Sequence, residues 1–240
     1  MTIRFPPDAI LLAAGLGTRL RPLTGTRPKP LVAVAGQPLI ERVVAPLAGE
    51  GLTRFAVNAH YLADQMAAAV DALPLRFPGC RFSLSREDEV MLGTGGGARA
   101  ALPLIETDPV LVANTDAFWR PADDRPLARM AARFDADPDS VVLLCAHPAC
   151  ALGFRRSHDF CLDPKSAITK DSGLPVIYAG VVLLGRVWFA GRPDGPFSMN
   201  RIFEAALEQD RLRGVLLDAE WFHIGDPEAR DAAERRLREA

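Results

Sequence analysis

The chain has 240 residues, 49% of them hydrophobic, and 28 basic side chains against 30 acidic ones leave a formal charge of −2. That length allows one ordinary α/β domain or at most two small ones, and burial of roughly 70–75% of the unfolded surface holds it without disulfides or metal. Balanced charge argues against a nucleic-acid partner, because affinity for a phosphate backbone comes from excess Lys and Arg. The apolar content argues against disorder. Ala9 to Ala14, the longest early apolar stretch, falls far short of the roughly 18 residues that span a bilayer, and no basic segment precedes it to make a signal peptide. Four cysteines without such a signal read as reduced thiols of a cytoplasmic protein with no membrane partner.

In chain order, Ala9–Ala13 is a continuous apolar run that suits a buried parallel strand. Pro38–Glu50 has helical spacing at Leu39, Val43, Val44 and Leu47, with Pro46 expected to bend or interrupt the helix. Arg54–Asn58 reads as a second strand, Tyr61–Leu73 as an Ala-rich helix, Arg81–Ser85 as a third strand and Gly97–Leu104 as a helix. Pro109–Ala113 is another buried strand, Leu127–Phe134 a helix and Val141–Cys145 a strand. This βαβα succession implies an α/β fold of three layers, a doubly wound, mostly parallel sheet with helices on both faces. After Cys145 the rhythm changes. Residues 147–175 are polar and irregular, Val176–Leu184 is β-like and Ser198–Gln209 helical. Pro227–Glu239 is a charged helix with Asp226 as its N-cap and Pro227 in its first turn. Without a linker, repeat or low-complexity segment, residues 1–240 read as a single domain.

Directly after the first strand stands Ala13-Ala14-Gly15-Leu16-Gly17-Thr18-Arg19-Leu20-Arg21-Pro22-Leu23-Thr24, followed by Arg27-Pro28-Lys29-Pro30. Glycines at 15 and 17 let backbone N–H groups approach an anion, and Arg19 can clamp phosphate oxygens. The stretch lacks the Gly-Lys-Ser/Thr ending of a P-loop, and Arg19 and Leu20 stand where a dinucleotide fingerprint has its third glycine. A plain strand-exit turn with solvated charges is the bland alternative. The glycines, Arg19 and Lys29, all close behind a buried strand, favour a phosphate site.

AAGLGTRLRPLT followed by RPKPLVAVAGQPLIE resembles the signature of the sugar-1-phosphate nucleotidyltransferases, above all the N-acetylmuramate 1-phosphate uridylyltransferases and the mannose-1-phosphate guanylyltransferase-like proteins. The resemblance runs from Ile10 to about Glu228. It implies a Rossmann-like, GT-A-like nucleotidyltransferase, with residues from about 1 to 145 binding the nucleotide. The remainder, about 146 to 240, would supply the sugar side and a C-terminal helix. The implied reaction joins a nucleoside triphosphate to a sugar 1-phosphate and releases pyrophosphate. UTP with N-acetylmuramate 1-phosphate, in cell-wall sugar recycling, is the first reading. A GTP:mannose-1-phosphate-type guanylyltransferase and a nucleotide-binding regulator without turnover are the alternatives.

Carried over residue by residue, the resemblance puts the triphosphate on Ala13, Ala14, Gly15, Gly17, Thr18 and Arg19, with Lys29 near the α-phosphate. Leu92 to Gly97 resembles the loop that faces the nucleobase, which assigns Thr94, Gly95 and Gly96 to the nucleotide; a helix-leading turn is the alternative. Asp116 matches the family's metal-binding Asp, and one carboxylate suffices for a Mg²⁺ that also takes phosphate oxygens. Arg19, Lys29 and Asp116 are thus the expected catalytic set. Asn114, Tyr178, Gly180 and Asn200 fall on the sugar side.

One departure matters. Where the family has a second metal-binding Asp in a Trp-x-Asp-x-Gly-Thr-Pro pattern, this chain reads Trp221-Phe222-His223-Ile224-Gly225-Asp226-Pro227. Imidazole is a poor ligand for Mg²⁺ and a good one for Mn²⁺. The favoured reading keeps Mg²⁺ on Asp116 and the triphosphate, with His223 bonding a phosphate or a water. A Mn²⁺ site on Asp116 and His223, or loss of turnover, are the alternatives. Cys145, His147, Cys150, His158 and Cys161 are close in sequence but match no standard zinc spacing, and core thiols are the preferred reading.

Overall fold

Side-chain alternation along the strands builds the layers of this protein, seen in a computed structural model that describes residues 7–120 and 125–239. Of the expected unit over residues 1–240, residues 1–6, 121–124 and 240 lie outside the described residues. The chain begins with β1 (Ala9–Leu12), followed by a short hairpin of β2 (Ala33–Val34) and β3 (Gln37–Pro38) and by α1 (Leu39–Gly49). Then come β4 (Arg54–Ala59), α2 (Ala63–Arg76), β5 (Arg81–Arg86), α3 (Gly93–Ala101), β6 (Val110–Asn114), β7 (Ala117–Trp119), α4 (Pro126–Ala136) and β8 (Val141–Ala146). The last part contributes β9 (Ala151–Leu152), β10 (Phe160–Leu162), β11 (Ile168–Thr169), the long β12 (Leu174–Leu184), α5 (Asn200–Glu208), β13 (Leu212–Leu217), β14 (Trp221–His223) and α6 (Pro227–Arg238).

In the main sheet β5, β4, β1 and β6 lie side by side and parallel. β12 runs antiparallel between β6 and β8, and β13 pairs parallel with β8. On one edge β12 changes partner, its first half pairing with β10 and its second with β6. Its register with β8 shifts between Tyr178 and Val182, around Gly180 at φ +88°.

Ala9, Leu11, Phe55, Val57 and Leu111 cluster with apolar side chains of α1, α2 and α4. Ile10, Ala56, Val112 and Leu143 cluster with those of α3 and α5. Both faces are covered, which is why these strands read as continuous apolar runs. From β1 the chain winds out to β4 and β5, then crosses to β6 on the other side of β1. Connections therefore diverge at the C-terminal end of β1 and leave a crevice there, the place where open α/β sheets bind ligands.

Among the expected elements, three details differ from the spacing-based expectation. Pro46 lies inside α1 without interrupting it, because the buried face of Leu39, Ile40, Val43, Val44 and Leu47 holds the helix against the sheet despite one missing amide. α3 begins at Gly93 rather than Gly97. The stretch 147–175 contains the short strands β9, β10 and β11. The expected start of α6 is met: Asp226 accepts the Ala229 amide at 2.9 Å, with Pro227 in the first turn. Among the described residues no helix is long and apolar enough to cross a membrane.

Candidate active site

The crevice beyond β1 and β6 opens into a cleft of about 480 Å³. Residues 12–19 line one wall and residues 114–116 another, and Lys29, Pro30, Asn58, Met91, Gly93, Thr94 and Gly225 complete it. The loop after β1 keeps its shape through buried anchors. Gly17 turns at φ +62°, and its carbonyl accepts the Leu20 amide at 2.9 Å and the Thr24 hydroxyl at 2.7 Å. Leu20 and Thr24 are fully buried. The amides of residues 14–19 donate to no other group among the described residues, so they stand open to an anion. Gly15 has no atom within 4 Å of where a Cβ would stand, whereas at Gly17 a Cβ would meet Lys29 Cβ and Thr24 Cγ2 at 3.0 Å. Packing demands glycine at 17. At 15 the missing side chain leaves the backbone clear for a ligand.

A second cleft of about 420 Å³ adjoins the first and shares Arg19, Asn114, Asp116 and Gly225 with it. Its walls carry Phe154, Arg155, Arg156, Tyr178, Gly180 and Trp221. Asp116 stands at the junction, where β6 ends. Lys29 Nζ is 2.7 Å from Asp116 Oδ2, and His223 Nε2 is 3.7 Å from the same oxygen. Pairing of β7 with β14 sets His223 opposite Ala117, and the Ile224 amide donates to the Asp116 carbonyl at 2.8 Å. Burial raises the Asp116 pKa, but Lys29 and His223 outweigh it and hold the carboxyl well below the usual carboxylate range. Asp116 is therefore ionised at neutral pH.

Further contacts fix the aromatic wall of the second cleft. The His223 ring stacks on Trp221 with centroids 5.9 Å apart, its Nδ1 lies 3.4 Å from the Gly153 carbonyl, and Trp221 Nε1 donates to the Ala179 carbonyl at 2.9 Å. Burial raises the Tyr178 phenol pKa, so the group stays protonated, and the ring meets Phe203 edge-on. A side chain at Gly180 would approach Asn114 Cβ to 3.3 Å.

A model of the MobA-like NTP transferase domain matches residues 9–183. The chain belongs to that family. An N-acetylmuramate alpha-1-phosphate uridylyltransferase of Caulobacter vibrioides is 39% identical over 238 residues, which is 98% of each chain. Another of the same description, from Neisseria meningitidis, is 30% identical over 220 residues, covering 90% of this chain and 92% of that protein. The fold is shared with HddC from Yersinia pseudotuberculosis, whose crystal structure complexed with GMP-PN superposes with a TM-score of 0.74 at 22% identity, covering 96% of this chain and 99% of that one. The chain is a nucleotidyltransferase with the Rossmann-like layering that its sequence implies.

In this NTP transferase the first cleft brings together Ala13, Ala14, Gly15, Gly17, Thr18, Arg19, Lys29, Thr94, Asn114 and Asp116. The second gathers Asn114, Tyr178, Gly180 and His223 around Asp116. Gly95, Gly96 and Asn200 line neither cleft. Gly95 and Gly96 are buried in the first turn of α3, and their amides donate to the Phe197 carbonyl at 2.9 and 3.1 Å. A Cβ at 95 would lie 2.3 Å from the Phe197 ring, and one at 96 would lie 2.6 Å from the Gly195 carbonyl oxygen. Their smallness serves helix packing. Asn200 is exposed at the start of α5.

Cys145 and Cys161 are buried, burial raising the Cys145 thiol to about 12, whereas Cys150 is exposed. Sequence reasoning missed Asn58 and Glu87. Asn58 Oδ1 accepts the Ala13 amide at 2.6 Å, and Asn58 Nδ2 donates to Glu87 Oε1 at 2.6 Å. The available signal was an Asn closing the apolar run of β4. Arg155 and Arg156 were missed as well, since arginines in a polar stretch read as solvated charge.

Proposed function

We propose that this nucleotidyltransferase joins UTP to N-acetylmuramate 1-phosphate, giving UDP-N-acetylmuramate and pyrophosphate. The observation that carries the reading is the pair of adjoining clefts sharing Asp116, one lined by open backbone amides and the other by aromatic rings and arginines. Open amides suit a triphosphate. N-acetylmuramate carries a lactyl carboxylate besides its phosphate, and Arg155 and Arg156 would receive it by exchanging their present partners, Asp226 and Glu228 for the first and Asp159 for the second. The two relatives named for this reaction support the choice of UTP and sugar. UTP belongs to the cytoplasmic nucleotide pool, which puts the reaction there.

The attacking sugar-phosphate oxygen is ionised at neutral pH, so no general base is required. It forms a bond to the α-phosphorus as the bond from that phosphorus to the bridging oxygen breaks, and pyrophosphate leaves with the electron pair. Alignment and charge neutralisation then carry the catalysis. Arg19 holds the β- and γ-phosphates, the amides of the loop after β1 cradle the chain of phosphates, and Thr94 lies toward the base. Lys29 neutralises the α-phosphate and the incoming phosphate. Asn114, Tyr178 and Gly180 bound the sugar, with Phe154 and Trp221 as its apolar wall.

A divalent cation fits this site. Asp116 is ionised and borders both clefts, and Mg²⁺ needs only one or two carboxylates beside phosphate oxygens. Asp116 would hold it, and His223 would bond a phosphate or a water, or serve as a nitrogen donor if the ion is Mn²⁺. The cation would supply charge neutralisation on the triphosphate.

Pyrophosphate release by the purified chain tests the reading. UTP, GTP, CTP and dTTP would each be combined with the 1-phosphates of N-acetylmuramate, N-acetylglucosamine, glucose and mannose, in Mg²⁺ and separately in Mn²⁺. The fastest pair should be UTP with N-acetylmuramate 1-phosphate. Preference for GTP with mannose 1-phosphate would replace it with a guanylyltransferase, and a bound triphosphate without release from any pair would make the protein a regulator.

A further inference from the structure

A buried polar chain links the two segments that line the nucleotide cleft, and no step above uses it. Asn58 at the end of β4 is 2% exposed, and Glu87, just past β5, is 4% exposed. Backbone amides can only donate, so the outer bonds have fixed directions: Ala13 N–H to Asn58 Oδ1 at 2.6 Å, and Leu92 N–H to Glu87 Oε2 at 2.7 Å. Between them Asn58 Nδ2 must donate to Glu87 Oε1. Ala13 opens the loop after β1, and Leu92 caps α3, whose first residues Gly93 and Thr94 line the far part of the same cleft. Gly97 makes room for the pair, since a Cβ there would stand 2.3 Å from Asn58 Nδ2 and 2.5 Å from Glu87 Oε1.

An amide and a carboxylate buried together carry a desolvation cost that their hydrogen bonds must offset, and an apolar pair of the same volume would avoid it. What the polar pair adds is direction. It ties the Ala13 amide to the Leu92 amide, and so links the loop after β1 to the start of α3. Resting on the reading of this cleft as the triphosphate site, we infer that Asn58, acting through Glu87, is a positioning residue that holds these two segments at the separation a bound nucleoside triphosphate spans.

The bonding pattern supplies its own test. In Asn58→Asp two carboxylates face each other, and in Glu87→Gln one contact must set donor against donor. In the double variant Asn58→Asp/Glu87→Gln the new carboxylate accepts from Ala13, and the new amide donates to it while accepting from Leu92. Every bond reforms with one direction reversed and total charge unchanged. Calorimetric titration of the full chain with UTP and Mg²⁺ gives binding directly, and steady-state kinetics give KM for UTP and for N-acetylmuramate 1-phosphate.

Each single variant should weaken UTP about tenfold or more, while the double variant returns to within about threefold of the wild type. KM for the sugar phosphate should move less than about twofold throughout, a split that a merely structural role would not produce. Singles that bind UTP like the wild type, a double variant as weak as the weaker single, or equal shifts in both KM values would overturn the inference. If a single variant fails to fold, a folded, UTP-binding double variant supports the inference and an unfolded one overturns it. A wild-type chain that binds none of the four triphosphates would instead overturn the reading of the cleft, and this inference with it.

Discussion

Alanine at Gly15 and alanine at Gly17 should fail in opposite ways, although the two positions are near neighbours in one loop. Gly17 holds φ +62°, and a Cβ there would press Lys29 Cβ and Thr24 Cγ2 at 3.0 Å. Thr24 is fully buried and its hydroxyl is bound to the Gly17 carbonyl, so it has little room to give. The left-handed backbone costs an alanine about 1–2 kcal/mol, crowding adds to this, and the stiffer unfolded chain returns about 0.4–1 kcal/mol. A net loss of about 1–3 kcal/mol should lower the melting temperature by roughly 2–12 °C in a chain of this size. At Gly15 nothing lies within 4 Å of the new methyl. Stability should stay within about 0.5 kcal/mol of the wild type. The methyl would instead occupy the space over the loop amides, and losing one amide bond to a charged phosphate, worth about 1.5–3 kcal/mol, should weaken UTP roughly ten- to hundredfold. Urea denaturation and calorimetric titration separate the two effects. UTP binding unchanged in Gly15→Ala, or stability unchanged in Gly17→Ala, would refute the reasoning.

Lys29→Ala and Asp116→Ala should each lower pyrophosphate release about a hundredfold or more, a loss larger than any fall in melting temperature from the broken Lys29–Asp116 pair explains. Retained activity in both variants would remove them from the mechanism. The Asp116 pKa lies below its ordinary 3.8, so its contribution to stability is complete above that value and is lost as pH falls through the folded pKa. Chemical denaturation should therefore show the wild type progressively losing its advantage over Asp116→Asn as pH falls below about 5, with no change above that. Gly95→Ala drives a methyl into the Phe197 ring and should cost about 1–3 kcal/mol of stability, leaving UTP affinity of the folded fraction near that of the wild type.

Strands covered on both faces were the easiest part of the fold to read, because β1, β6 and β8 carry long apolar runs and β4 has the shorter one Phe55–Val57. The helices with a packed stripe followed for the same reason. β2, β3, β7, β9 and β14 have two or three residues each, too few to show a period, and only their partners define them. β13 escaped because Arg213 and Gly214 interrupt its apolar run, and Arg213 finds its place through Asp137 and Asp210, far from it or outside the strand. The triple glycine misled in an informative way. Low helix propensity reads as a loop, yet Phe197 and the Asn58–Glu87 pair leave no space for side chains at 95 and 97, so tertiary packing forces helix onto glycine. In the site, the loop after β1, Lys29 and Asp116 were legible from their motif. Asn58 and Glu87 were not, since a buried pair is visible only once β4 and β5 are known to be neighbours.

The central claim is that a sugar-phosphate oxygen attacks the α-phosphorus across the junction at Asp116. Its most direct test uses N-acetylmuramate 1-phosphate carrying heavy oxygen in its phosphate, unlabelled UTP and mass spectrometry of both products. All of the label should appear in UDP-N-acetylmuramate and none in pyrophosphate. Label in pyrophosphate, or UMP that has taken its new oxygen from water, would contradict the account.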